Sequence, residues 1–111
     1  MWVVEVEDEA ESWLDSLQPR EFATALAHIQ RLEAQGNKLR PPATRSLGEG
    51  LFELRFDLRS VSWRITFRFA SREQIVLMTV FRKQRRREQP EIRRARKAMQ
   101  RSIASEEEES L

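Results

Sequence analysis

Arg55, Arg64, Arg68 and Arg82 are the residues of this chain whose type and spacing best suit chemistry. A guanidinium presents a rigid fork of donors that matches two phosphate oxygens, so a cluster of arginines points to phosphate binding and to stabilisation of charge at a phosphorus centre. Cutting RNA by attack of the neighbouring 2′-hydroxyl needs that stabilisation, in-line positioning and two proton transfers. Arginine stays protonated and cannot act as the base, so proton transfer must come from elsewhere. Lys83 and Glu53 are the candidates, the first beside Arg82 and the second on the same strand face as Arg55. Charge balance for the arginines is the other role open to Glu53, and a simple phosphate contact the other role open to Lys83. The chain has no tyrosine, and its one histidine, His28, lies off the apolar stripe of its helix and reads as a solvent-facing bystander.

Two alternating segments must carry these groups. Phe52, Leu54, Phe56 and Leu58 point one way, with Glu53, Arg55 and Asp57 the other. Val61, Trp63, Ile65, Phe67 and Phe69 point one way, with Ser62, Arg64, Thr66 and Arg68 the other. That period of two predicts strands buried on a single face. Their apolar faces agree in a hairpin only if paired residue numbers add to an odd total, which a two-residue turn at Arg59-Ser60 satisfies. Phe56 then faces Trp63, Leu54 faces Ile65 and Arg55 faces Arg64, with Arg68 close by. Like charges directly across a ladder are unfavourable, so two arginines there read as a seat for an anion. Ile75 to Phe81 is apolar on consecutive residues, as in a central strand covered on both faces. Phe81, at its end, has two roles open to it, core packing and stacking on a base.

The remaining chain supplies the frame. Residues 2–6 read as a first strand, and Ala10, Trp13, Leu14 and Leu17 keep helical spacing after it. Pro19 suits the first turn of a second helix, with Phe22, Ala25, Leu26, Ile29 and Leu32 as its stripe and Gly36-Asn37 as its stop. Leu39-Arg40-Pro41-Pro42 must be extended or irregular, and Ser46 to Gly50 is turn chemistry leading into the hairpin. Arg85, Arg86 and Arg87 form a basic connector that extends the phosphate-binding set. Pro90 starts a last helix with a thin stripe, Ile92, Ala95, Met99 and Ile103, and hence a weak hold on the body. The expectation is one α+β domain over residues 1–104, with a small antiparallel, mixed-edge sheet of about four strands packed on an N-terminal helical hairpin, and a basic C-terminal helix. The acidic stretch 105–111 is expected to be a disordered tail.

Composition narrows the function classes. With 111 residues there is room for one modest core, and with no cysteine there are neither disulfides nor thiolate chemistry. The longest apolar run, Ile75 to Phe81, is too short to span a bilayer, and the N-terminal residues lack a signal-peptide pattern, so a cytoplasmic protein with no membrane partner is expected. No His/Asp/Glu cluster has ligand spacing, so neither metal nor small-molecule cofactor is expected. Net charge is only +2, but it is uneven, with ten bases against two acids in residues 82–101 and six acids and no bases in residues 5–15. A dense arginine block is the electrostatic footprint of phosphate binding.

The segments Leu47-Gly48-Glu49-Gly50-Leu51-Phe52-Glu53-Leu54-Arg55, Trp63-Arg64-Ile65 and Val80-Phe81-Arg82-Lys83, followed by Pro90-Glu91-Ile92-Arg93-Arg94-Ala95-Arg96, together resemble the RelE/ParE superfamily of bacterial and phage toxins. The likeness is to its HigB-like, phage-related branch and runs from Trp2 to Met99. Relatives often place a tyrosine where this chain has Trp63, and a lysine where it has Gln84. The resemblance implies the toxin of a type II toxin–antitoxin system, a ribosome-dependent endoribonuclease acting on translated mRNA. Its implied partners are the ribosome and a HigA-like helix-turn-helix antitoxin. Arg55, Arg64, Lys83 and Glu53 would be catalytic; Arg68, Arg82, Arg85, Arg86, Arg87 and Phe81 would bind RNA. Two alternatives stay open: a non-enzymatic ParE-like inhibitor, of DNA gyrase for example, and an inactive module that binds nucleic acid or antitoxin.

Overall fold

A computed structural model describes residues 2–84 and 88–110. Strand β1 (Val3–Val6) leads into helix α1 (Asp8–Asp15) and helix α2 (Pro19–Gln35). The reasons for α2 are local: Gln18 stands at its N-cap, the Gln18 N–H donates to the Glu21 carboxylate at 3.3 Å, and Pro19 fills the first helical position. The helix stops at Gly36, whose φ of 53° lies in the left-handed region. A Cβ there would collide with the indole of Trp2, so the site demands glycine twice over.

Four more strands follow: β2 (Thr44–Gly48), β3 (Leu51–Leu58), β4 (Val61–Ala70) and β5 (Gln74–Arg82). Helix α3 (Glu88–Glu109) closes the chain. The sheet runs β1-β5-β4-β3-β2, with β1 parallel to β5 and every other pair antiparallel. This is the expected α+β frame with a mixed edge, but five strands replace the expected four or so. The added strand is β2, whose residues 46–48 had read as pure turn. It is a polar edge strand with a register shift between Ser46 and Gly48, so it lacks the alternation that marks a half-buried strand.

The β3–β4 hairpin has the expected register. Phe56 pairs with Trp63, Leu54 with Ile65 and Arg55 with Arg64. Arg59 and Ser60 make the turn, both with positive φ (49° and 66°), as a two-residue hairpin of this twist requires. One sheet face, carrying Leu54, Phe56, Ile65, Phe67 and Leu77, packs on Ala10, Leu14, Ala25, Ile29 and Leu32 of the helical hairpin. Burying a side chain such as Phe67 removes it from water for about 1.5–3 kcal/mol of stabilisation.

The other face carries a second, smaller core in which Leu51, Val76 and Met78 meet Ala95, Ala98 and Met99 of α3. Small residues let the helix approach closely, so its stripe is Ala95, Ala98, Met99 and Ser102, and Ile103 is exposed instead. The expectation of a weak hold is therefore corrected, and arginines supply much of the fastening. Arg94 donates to Glu9, to Glu91 and to the carbonyl oxygen of Val80 (3.1 Å), while Glu9 also accepts the Val80 N–H at 2.7 Å. Arg96 donates to the carbonyl oxygens of Leu47 and Gly48 at 2.6 and 3.3 Å. The acidic stretch also departs from expectation. Residues 105–109 continue α3, and Glu106 accepts hydrogen bonds from Arg68 and Ser71.

Candidate functional site

Strand alternation and register place three cross-strand rows on the α3 side of the sheet. Glu53 pairs with Arg45 and Thr66; Arg55 pairs with Arg64, which pairs in turn with Phe81. In the third row Asp57 pairs with Ser62, whose hydroxyl donates to Asp57 at 2.8 Å and whose carbonyl oxygen accepts the Lys83 N–H at 2.9 Å. Lys83 thus sits in the row next to the arginine pair, with its side chain exposed.

The middle of this surface is an electrostatic cluster. Glu53 is 1% exposed, and its Oε1 lies 3.8 Å from Arg55 Nε and 3.7 Å from Arg64 Nε. These distances are ion-pair contacts without hydrogen bonds, and among the described residues neither Glu53 oxygen nor either Nε has a hydrogen-bond partner. Burial pushes the Glu53 pKa up, Arg64 and Arg55 pull it down, and Glu88 adds to the rise. Burial also lowers the pKa of Arg64, with the neighbouring Arg55 charge acting in the same direction. One carboxylate against two guanidiniums leaves the cluster net positive. Arg64 donates to its neighbour's carbonyl oxygen, Trp63 O, at 3.0 Å, which holds its side chain along the sheet.

β2 stops short of the hairpin end: the Arg55 N–H donates to Ala43 O at 2.9 Å, and beyond it Phe56 to Leu58 form a free edge. Around that edge runs an open groove of about 630 Å³. Arg55 and Arg64 line it from the sheet, Arg31 and His28 from α2, and Lys38 and Arg40 from the segment that follows. Leu39, Pro41, Pro42 and Ala43 add to its wall with Gln35 and Phe56, and Asp57 is the one acid among its described lining residues. Five cations and a histidine against one carboxylate make an anion-attracting groove.

Three of these cations, Arg31, Lys38 and Arg40, were missed from sequence, because nothing local shows that the segment after α2 curls over the β3 edge. His28 corrects an expectation. It is half-buried, its ring lies flat on Phe56 with centroids 5.1 Å apart and planes at 17°, and it lines the groove. Burial, then the charge of Arg31, hold its pKa below the usual histidine value, with Asp57 opposing.

Other expected residues do not join the cluster. Arg68 is buried beneath α3, donating to the Ser102 hydroxyl (2.9 Å), the Ser102 carbonyl oxygen (3.4 Å) and Glu106 (3.1 Å). It lies four residues along β4 from Arg64, about 13 Å at 3.3 Å per residue. Arg82 is exposed but pairs with Trp63, which puts it on the helical-hairpin side of the sheet. Phe81 is 5% exposed and backs Arg64, so its ring is not open to a base. Glu53, expected on an open polar face, is buried. Arg85, Arg86 and Arg87 lie outside the described residues. Among the described residues no group of three or more His, Cys, Asp or Glu could hold a metal ion, and no helix is long and apolar enough to cross a membrane.

No curated protein matches the sequence. Among solved structures, the fold is similar to a chain of the RelBE2 toxin–antitoxin complex from Mycobacterium tuberculosis, with a TM-score of 0.55 and 18% identity over 74% of this chain and 98% of that one. At that identity the likeness is one of fold, and it agrees with the RelE-type resemblance carried by the segments around Arg55, Arg64 and Lys83. The family model of phage-derived Gp49-like proteins (DUF891) matches residues 12–101, a span that holds α2, both sheet arginines and most of α3. The chain belongs to that phage-derived, Gp49-like family.

Proposed function

We propose that this protein is the toxin of a type II toxin–antitoxin system and acts in the cytoplasm as a metal-independent, ribosome-dependent endoribonuclease on translated mRNA. The observation that carries the reading is the opposed pair Arg55 and Arg64 at the mouth of a cationic groove. Two guanidiniums on one phosphate would hold it and stabilise the charge that builds on its oxygens during attack; removing one such group commonly costs about 10²–10³ in rate. Arg31, Lys38 and Arg40 would track the flanking backbone. Lys83, one row from Arg64, would give a proton to the departing 5′-oxygen. Glu53 is too deeply buried to touch substrate and acts through the arginines, as a positioning residue that sets their spacing. The solved RelBE2 complex supports an antitoxin partner; a helix-turn-helix antitoxin that covers the groove would complete the system.

Induction in growing cells, with mapping of RNA ends, tests this. Growth arrest with new cuts inside translated frames is expected, both lost in Arg55→Ala/Arg64→Ala. Growth arrest with intact messages would reject the nuclease, and inhibition of purified DNA gyrase in its place would select a ParE-like inhibitor.

A further inference from the structure

We propose that His28 is the proton acceptor of the cleavage reaction, taking the 2′-hydroxyl proton of a nucleotide seated in the groove between α2 and the β3 edge. The inference rests on the nuclease reading above and deepens it by naming the base.

Position is the first argument. The His28 ring is stacked on Phe56, which follows Arg55 in β3 and pairs with Trp63, the residue before Arg64. The imidazole is therefore anchored to the same two strand segments that carry the arginine pair, and all three side chains line one groove. Face-to-face packing on a buried ring fixes the imidazole plane, and among the described residues neither ring nitrogen is hydrogen-bonded. A nitrogen is thus free for a substrate proton.

Elimination is the second argument. Glu53 is 1% exposed and cannot reach a 2′-hydroxyl. Arginine is never a base at working pH. The hydroxyl of Ser62 already donates to Asp57 at 2.8 Å, drawing that carboxylate toward the sheet. Among the groove's described lining residues His28 is the remaining neutral base, since the amide of Gln35 cannot take up a proton.

Electrostatics agree. The charged groups around His28 are Arg31 on its own helix, Asp57 on β3, Lys38 and Arg40 after α2, and the sheet arginines 55 and 64. Burial and Arg31 keep the ring in its neutral, proton-accepting form at pH 7. In the reaction the 2′-oxygen forms a bond to phosphorus as its proton moves to His28. The bond from phosphorus to the 5′-oxygen breaks, and that oxygen takes a proton from the Lys83 ammonium. The products are a 2′,3′-cyclic phosphate and a 5′-hydroxyl; the imidazolium then returns its proton to water and the lysine regains one.

The test is single-turnover cleavage of a defined message on purified ribosomes, followed against pH for the full chain and its variants. The wild-type rate is expected to rise about tenfold per pH unit below the histidine pKa and then level. His28→Gln should lose about 10²–10⁴ in rate and that rising limb, and added imidazole should restore part of the activity of His28→Ala. His28→Phe, which keeps the stack on Phe56 and the fold, should be as inactive as His28→Gln. A His28→Gln variant within a few-fold of wild type with an unchanged pH profile would overturn the assignment, as would transfer of the lost limb to Asp57→Asn. In either case cleavage that still depends on Arg55 leaves the nuclease reading standing. A wild-type protein that leaves the message intact would remove that reading and this inference with it.

Discussion

Arg55 and Arg64 oppose each other Cα to Cα across β3 and β4, and a single buried carboxylate, Glu53, lies within 4 Å of both. Two like charges in that position weaken a ladder unless something offsets them. Glu53 offsets one charge; an anionic ligand would offset the other.

Glu53 should leave a pH signature on stability. Its folded-state pKa is raised, by burial first, so the folded protein holds the proton more tightly than the unfolded chain. The resulting stabilisation is complete below the ordinary carboxylate range and lost as pH climbs through the raised value. Glu53→Gln cannot ionise, so its stability relative to wild type should improve steadily from pH 4 towards neutrality. Denaturant titrations across that range check this, and a constant difference would count against a strained, ionised Glu53.

Replacing the same residue by alanine tests its positioning role. Arg64, 5% exposed, would lose the carboxylate that lies 3.7 Å from its Nε, and breaking a buried pair from one side typically costs about 3–5 kcal/mol. With Arg55 partly in solvent to share the field, about 3 kcal/mol is expected from equilibrium unfolding. A change below 1 kcal/mol would mean that Arg64 re-solvates freely.

Glu106 predicts the opposite pH dependence at the far end of the sheet. Hydrogen bonds from the Ser71 hydroxyl and N–H, then from Arg68, hold its carboxyl below the usual range. Its contribution is therefore present above that range and lost as pH falls through the depressed value. Protection from hydrogen exchange over residues 102–109 should fall in wild type as pH drops through the depressed Glu106 value, and should be low at every pH in Glu106→Gln. Equal protection in both proteins at pH 7 would show that the latch does not hold the helix.

Arg94 should matter more than its neighbour Arg93. It ties α3 to Glu9 of α1 and to Val80 of β5, whereas Arg93 is exposed. After discounting for its 40% exposed side chain, Arg94→Ala should lower stability by about 1–2 kcal/mol. Arg93→Ala should stay within about 0.5 kcal/mol, and thermal melts of the two would show it.

The sequence made some of this legible because the signals were local. The turn at Arg59-Ser60 together with two alternating runs left one register, and that register put Arg55 opposite Arg64. Where the deciding partner lies far away, the reading failed. Arg68 looks like a third member of the cluster until Glu106, 38 residues on, claims it. Residues 105–109 read as a tail for the same reason, since alone four glutamates show no cause to fold. Ala95, Ala98 and Ser102 make a poor hydrophobic stripe, yet small residues are what a helix lying close on a sheet needs. The groove was invisible because the path of residues 38–43 is set by how they cross the β3 edge, and His28 gains its stacking partner from another element.

The arginine pair itself is tested most directly by the salt dependence of binding to a short single-stranded RNA. Each phosphate neutralised contributes about 0.7 to the slope of log affinity against log salt. Arg55→Ala/Arg64→Ala should bind more weakly at low salt, with a slope shallower than wild type by about 0.7, the share of the one phosphate the pair holds. Equal affinity and equal slope in the two proteins would mean that the opposed guanidiniums hold no phosphate, and would contradict the account at its centre.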